Sequence, residues 1–166
     1  MTLDGRPRPR LNSVRAGEDV SELDKRIIEH LQTDGRRPFT QIAADLSVSE
    51  AAVRARTNRL IERGILQVVG VTDPLKLGFH QMAMIGIRCE SDQLVVVAEK
   101  IAEMPEVDYV VITAGTYDLL VETVCEDNEA LLRFLTEKLR AIDGVRETET
   151  FVYLRMVKQT YQWGTR

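Results

Sequence analysis

The residues best equipped for intermolecular chemistry lie between positions 47 and 59. There Ser47, Ser49, Glu50, Ala51, Arg54, Arg56, Asn58 and Arg59 fall within a stretch whose apolar members, Val53, Thr57, Leu60 and Ile61, recur at helical spacing. An arginine guanidinium can fork onto guanine or grip a phosphate, and an asparagine amide can pair with adenine. Ala51 and Ala55 are small enough to let a helix backbone approach the floor of a major groove. Glu50 is the unusual member, since a carboxylate there either accepts from cytosine or repels phosphate. Arg56 and Arg59 serve packing or phosphate contact rather than base readout.

Other chemistry is excluded by the residue types and their spacing. A catalytic site needs a nucleophile, a base and an electrophilic helper within reach of one another, or a metal. His30 and His80 belong to different domains, Glu147 and Glu149 form a strand-spaced pair without visible acid–base asymmetry, and zinc-ligand spacing and glycine-rich phosphate loops are absent. The sequence therefore predicts no enzyme, no metal and no bound cofactor. Cys89 and Cys125 sit far apart in apolar runs, as reduced buried thiols do. The chain has no apolar run near the roughly 18 residues that span a bilayer, and its start does not resemble a signal peptide. A cytoplasmic location away from membranes is expected.

The overall charge of −4 conceals an asymmetry. Residues 1–63 carry 12 Lys and Arg against 10 Asp and Glu, which leaves 10 against 16 in the remainder. Phosphate binding depends on local basic patches, so an acidic second half would confine nucleic acid to one end of the chain.

Helical periodicity places these residues on a three-helix unit. Ser21 caps a first helix carrying Leu23, Ile27, Ile28 and Leu31, which Gly35 stops. A short second helix follows Thr40 as its cap, with Ile42, Ala43 and Leu46 inward. Residues 47–49 turn tightly, and Ser49 caps a third helix over 50–63, ended by Gly64. A short helix, tight turn and basic helix favour DNA reading over a merely solvated face. Residues 65–72 are β-branched and predict a strand, followed by a turn at Asp73, Pro74 and Gly78. Beyond His80, strands over 82–89, 107–113, 118–125 and 145–156 alternate with helices over 93–103 and 128–140, the latter aligning Leu132, Leu135, Leu139 and Ile142. That order predicts a ferredoxin-like βαββαβ sheet with both helices on one face. Alternate strand positions stay apolar on the other face, which calls for a second copy and an isologous homodimer.

The expected fold class is α+β, with domain limits as follows. Residues 1–20 form a disordered Arg- and Pro-rich extension, 21–64 a winged-type helix-turn-helix domain and 65–79 a strand and linker. Residues 80–157 form the ferredoxin-like domain, and 158–166 a tail whose Tyr161 and Trp163 are assigned no function.

The stretches SELDKRIIEHLQTDGR, QIAADLSVSEAAVRARTNRLIERGIL, TAGTYDLLVET and GVRETETFVYL, closed by VKQ, occur in an order and spacing that resembles the Lrp/AsnC, or feast/famine, family of prokaryotic transcriptional regulators. Two departures are the long Arg- and Pro-rich start and Glu50. The resemblance implies double-stranded DNA as partner and a sheet domain that senses an effector and dimerises, often within octameric discs. It further implies an amino acid or related small molecule bound between subunits, near Ala114, Gly115, Tyr117, Asp118, Thr148 and Thr150. Asp118 would then suit an α-amino group, and hydroxyls or backbone N–H groups an α-carboxylate. Read without the resemblance, Gly115 and Asp118 shape a hairpin and the threonines are sheet formers. Two other functions fit the pattern: an architectural protein that wraps DNA without a ligand response, and an amino-acid-binding regulatory subunit of an enzyme.

Overall fold

The computed structural model describes residues 20–160 and residue 165. The expectations for residues 1–19, Tyr161 and Trp163 lie outside that range. The described residues fall into two compact units: those up to Gly70 together with those from Gln159 onward, and Val71–Lys158.

The first unit packs α1 (Glu22–Thr33), α2 (Phe39–Leu46) and α3 (Glu50–Glu62) around Ile27, Leu31, Ile42, Leu46, Val53 and Leu60. Ser21 starts α1 through a capping box, its hydroxyl accepting from the Asp24 N–H while the Asp24 carboxylate accepts from the Ser21 N–H. Ser49 caps α3 by accepting from the Ala52 N–H at 3.2 Å. Between α2 and α3, Ser47 takes the left-handed conformation at φ 55°, and the Val48 N–H closes the turn onto the Ala43 carbonyl.

The helical unit departs from the sequence expectations at four points. α1 ends on extended Asp34, whose carboxylate accepts from the Arg36 N–H, so an aspartate turn rather than Gly35 breaks the helix. α2 begins before Thr40, because Pro38 has a φ of −59° and its carbonyl accepts from Gln41 and Ile42. Ile61 is 45% exposed, lying about 100° around the helix from buried Leu60. Residues 65–72 form no strand and hence no wing, since the segment has no ladder neighbour among the described residues; Val68, Val69 and Val71 stand exposed.

After a 3₁₀ turn over Pro74–Leu77, the second unit runs β1 (Gln81–Cys89), α4 (Leu94–Ala102), β2 (Val107–Ile112), β3 (Leu119–Cys125), α5 (Asn128–Arg133) and β4 (Val145–Val152). The sheet order is β2-β3-β1-β4 and every neighbouring pair is antiparallel, the ferredoxin-like arrangement. Ala83, Ile85 and Ile87 of β1 pack with Leu119 and Val121 against Val97, Ile101, Phe134 and Leu139 from the helical layer. α5 continues as a π-helical stretch, Phe134–Leu139, closed by the Arg140 N–H on the Leu135 carbonyl. Its buried residues are Leu131, Phe134 and Leu139, whereas Leu132 is exposed; the wider turn moves the apolar stripe away from the expected one. β4 stops at Val152 instead of reaching Met156: the Tyr153 N–H makes a closing bond to the Met82 carbonyl of β1, and Leu154 is 95% exposed.

Candidate functional site

On α3 the residues left outside the core form one continuous face. Ala51, Arg54, Ala55, Asn58 and Arg59 are all exposed, at spacings of three and four that place them side by side on the helix. Val53, Thr57 and Leu60 anchor the opposite side. Ser47 and Ser49 are exposed at the turn leading in. Arg54 is held twice: its Nη2 donates to Glu50 Oε1 at 2.5 Å, and its guanidinium carbon lies 5.3 Å from the centre of the Phe39 ring. Arg56 turns the other way. Its Nη1 donates to Asp24 at 2.9 Å and to the Ser21 hydroxyl at 3.1 Å, tying α3 to the start of α1. Burial works to raise the Asp24 carboxyl, but hydrogen bonds from Ser21 and Arg56 outweigh it and hold the group below its ordinary value. Of the arginines expected at this surface, Arg54 and Arg59 stand on the open face, whereas Arg56 is built into the helical packing.

In the second unit the loop at 114–118 meets the sheet. Ala114 and Gly115 are exposed, and a Cβ at Gly115 would meet nothing within 4 Å. Tyr117 lies flat on β1, where a Cβ at Gly86 would stand 2.6 Å from its ring, and it meets Phe151 edge-on at 6.3 Å. Asp118 accepts from the Cys89 N–H at 2.8 Å, next to the register shift between Arg88 and Cys89. One carboxylate oxygen is thereby committed to the backbone.

Thr148 and Thr150 pair with Ile87 and Ile85, and so share the helix-covered face of the sheet. Tyr117, over Gly86, is on the opposite face. One chain therefore brings the two threonines together and brings Tyr117 and Asp118 together, but sets Tyr117 and the threonines on different faces.

Two cations that the sequence reading missed stand nearby. Arg88 donates to the Thr116 carbonyl at 3.1 Å and pairs with Glu147 at 3.2 Å. Arg140 Nε donates to the Thr148 hydroxyl at 3.1 Å. Arg140, Val145, Arg146, Glu147 and Thr148 line an open depression of about 480 Å³. The sequence signal for Arg88 was a lone charge within the apolar run IGIRC, whereas Arg140 was one charge among several at FLTEKLR. The described residues contain no group of His, Cys, Asp and Glu able to hold a metal, and no helix long and apolar enough to cross a membrane.

Known proteins carry the same two units. A model of the AsnC-type helix-turn-helix domain matches residues 20–61, and a model of the Lrp/AsnC ligand binding domain matches residues 82–163. A Pyrococcus abyssi HTH-type transcriptional regulator is 38% identical over 146 residues, covering 87% of this chain and 90% of that protein. Among solved structures, E. coli AsnC superposes with a TM-score of 0.77 at 25% identity, over 86% of this chain and 97% of that one. The feast or famine regulatory protein of M. tuberculosis, complexed with L-methionine, has a TM-score of 0.79 at 22% identity, over 87% and 98% of the two chains. A DNA-binding helix-turn-helix domain and a ligand-binding domain are thus joined in one polypeptide, and the chain belongs to the Lrp/AsnC family of transcriptional regulators.

Proposed function

We propose that this protein regulates transcription by reading a specific double-stranded DNA sequence through α3 and by responding to an amino acid held by its second unit. The observation that carries the reading is the exposed stripe of Ala51, Arg54, Ala55, Asn58 and Arg59, small at its start and cationic along its length, on a helix whose other side is anchored in the core. Such a face fits a major groove, with Arg54 and Asn58 toward base edges and Arg59, Ser47 and Ser49 toward phosphates. Glu50 and Arg56 act through their neighbours, Glu50 on Arg54 and Arg56 on Asp24.

The effector site draws on Ala114, Gly115, Tyr117 and Asp118 from one copy and on Thr148 and Thr150 from another. Their separation onto two faces of one sheet supports a site completed by a second chain. The L-methionine carried by the M. tuberculosis relative makes an L-amino acid the class to test first. A homodimer, assembled further into an octamer, would present paired α3 helices to two half-sites, and ligand would act by favouring one assembly.

The test is binding of the full chain to its own upstream DNA and to a scrambled duplex, at one salt concentration, with and without pooled amino acids. The expected result is preference for the upstream DNA by about 10³ or more and a shift with the pool. Equal binding to both duplexes would replace this reading with DNA wrapping, and a preference that ignores the pool would remove the amino acid from it.

A further inference from the structure

Glu50 is the residue a DNA-reading surface would least be expected to carry, and the geometry around it gives it a use. Its carboxylate lies one turn before Arg54 on α3 and accepts from Arg54 Nη2 at 2.5 Å. Phe39, the first residue of α2, approaches the same guanidinium from another element, its ring centre 5.3 Å from Arg54 Cζ. The side chains of Arg54 and Glu50 are 59% and 42% exposed, so this pair contributes little to stability. What it does change is the freedom of Arg54. An unrestrained arginine samples many rotamers and must give them up on binding, whereas one held by a carboxylate and an aromatic face loses fewer. The ion pair engages one Nη2 hydrogen and leaves N–H donors on both terminal nitrogens for the O6 and N7 of a guanine. It also offsets the negative charge of Glu50 where a phosphate would otherwise be repelled.

We infer that Glu50 and Phe39 are positioning residues for Arg54, and that together they set this protein's preference for a guanine at one position of each half-site. The inference rests on the proposed reading of α3. It assigns specificity to a contact between α2 and α3, whereas the sequence offered α3 and the turn leading into it.

Selection of bound sequences from a pool of randomised duplexes tests it, using the full chain and the variants Arg54→Ala, Glu50→Gln and Phe39→Leu. The wild type is expected to enrich a motif containing one dominant guanine. Arg54→Ala should lose preference at that position alone, by about 10- to 100-fold. Glu50→Gln and Phe39→Leu should keep the rest of the motif while the guanine preference falls by about threefold or more, with the salt dependence of binding unchanged. Phe39 also packs on the helical core, so exposed Glu50→Gln decides the matter if Phe39→Leu melts early. The inference is overturned if Glu50→Gln retains the wild-type guanine preference, or tightens binding to every sequence alike, since Glu50 would then be only a surface charge. A wild type that enriches no motif would instead overturn the reading of α3, and this inference with it.

Discussion

Three bonds converge on Asp24: from the Ser21 N–H, from the Ser21 hydroxyl and from Arg56. Removing Arg56 leaves a largely buried carboxylate short of its cation. Arg56→Ala is therefore expected to cost about 1–2 kcal/mol in urea unfolding, against less than about 0.5 kcal/mol for the exposed Arg54→Ala. Equal costs would mean that Arg56 is not the structural one of the two. Because the folded Asp24 carboxyl titrates below its unfolded value, its contribution is present above about pH 4 and lost as pH falls through the lower folded value. Acid titration of Arg56→Ala should show a shallower loss in that window. The Ser21 cap was legible because it spans three residues of one helix. The Arg56 link was not, since it joins residues 32 apart and depends on how α1 and α3 pack.

Gly86 shows what strands contribute that their residue types do not announce. Its missing side chain is the space in which Tyr117 lies, so Gly86→Ala should displace the ring and cost about 1–3 kcal/mol. Nuclear Overhauser contacts between Tyr117 and Phe151 should vanish in that variant; their survival would show that the ring does not depend on Gly86. The same strands explain how far the proposed effector site was legible. Alternation was enough to place Thr148 and Thr150 on a common face, because parity is a local property. Which face that is depends on pairing with Ile87 and Ile85 of β1, a contact between distant segments that no local pattern encodes. Helix ends divide likewise: Ser49 was read from its hydroxyl, whereas the start at Pro38 uses backbone geometry without a side-chain cap, and the stop at Asp34 uses a carboxylate beside a glycine that offered the more familiar signal.

At the scale of the whole molecule, the side of the sheet turned away from α4 and α5 is where the proposed homodimer would form. Met84, Leu120, Tyr109 and Phe151 occupy it by register around Glu122, and Tyr109 and Phe151 stand nearly half exposed in the single chain. Sedimentation equilibrium is expected to give a dimer or larger, and Leu120→Glu to give a monomer at concentrations of about 10 μM. A wild-type monomer under those conditions would end the proposal of an isologous interface. Tyr153 donates to Glu122 on the same side, and burial together with that bond pushes its phenol up to about 12, so the link persists in alkaline solution. The π-helical stretch Phe134–Leu139 has a different kind of consequence. Each residue beyond it is displaced by one position from where an unbroken α-helix would put it, and Arg140 reaches Thr148 from that displaced phase. Part of the depression beside β4 is thus specified by chain length rather than by side-chain identity. Homologues could keep every lining residue and still lose the arrangement through a single deletion in a helix that lines none of it.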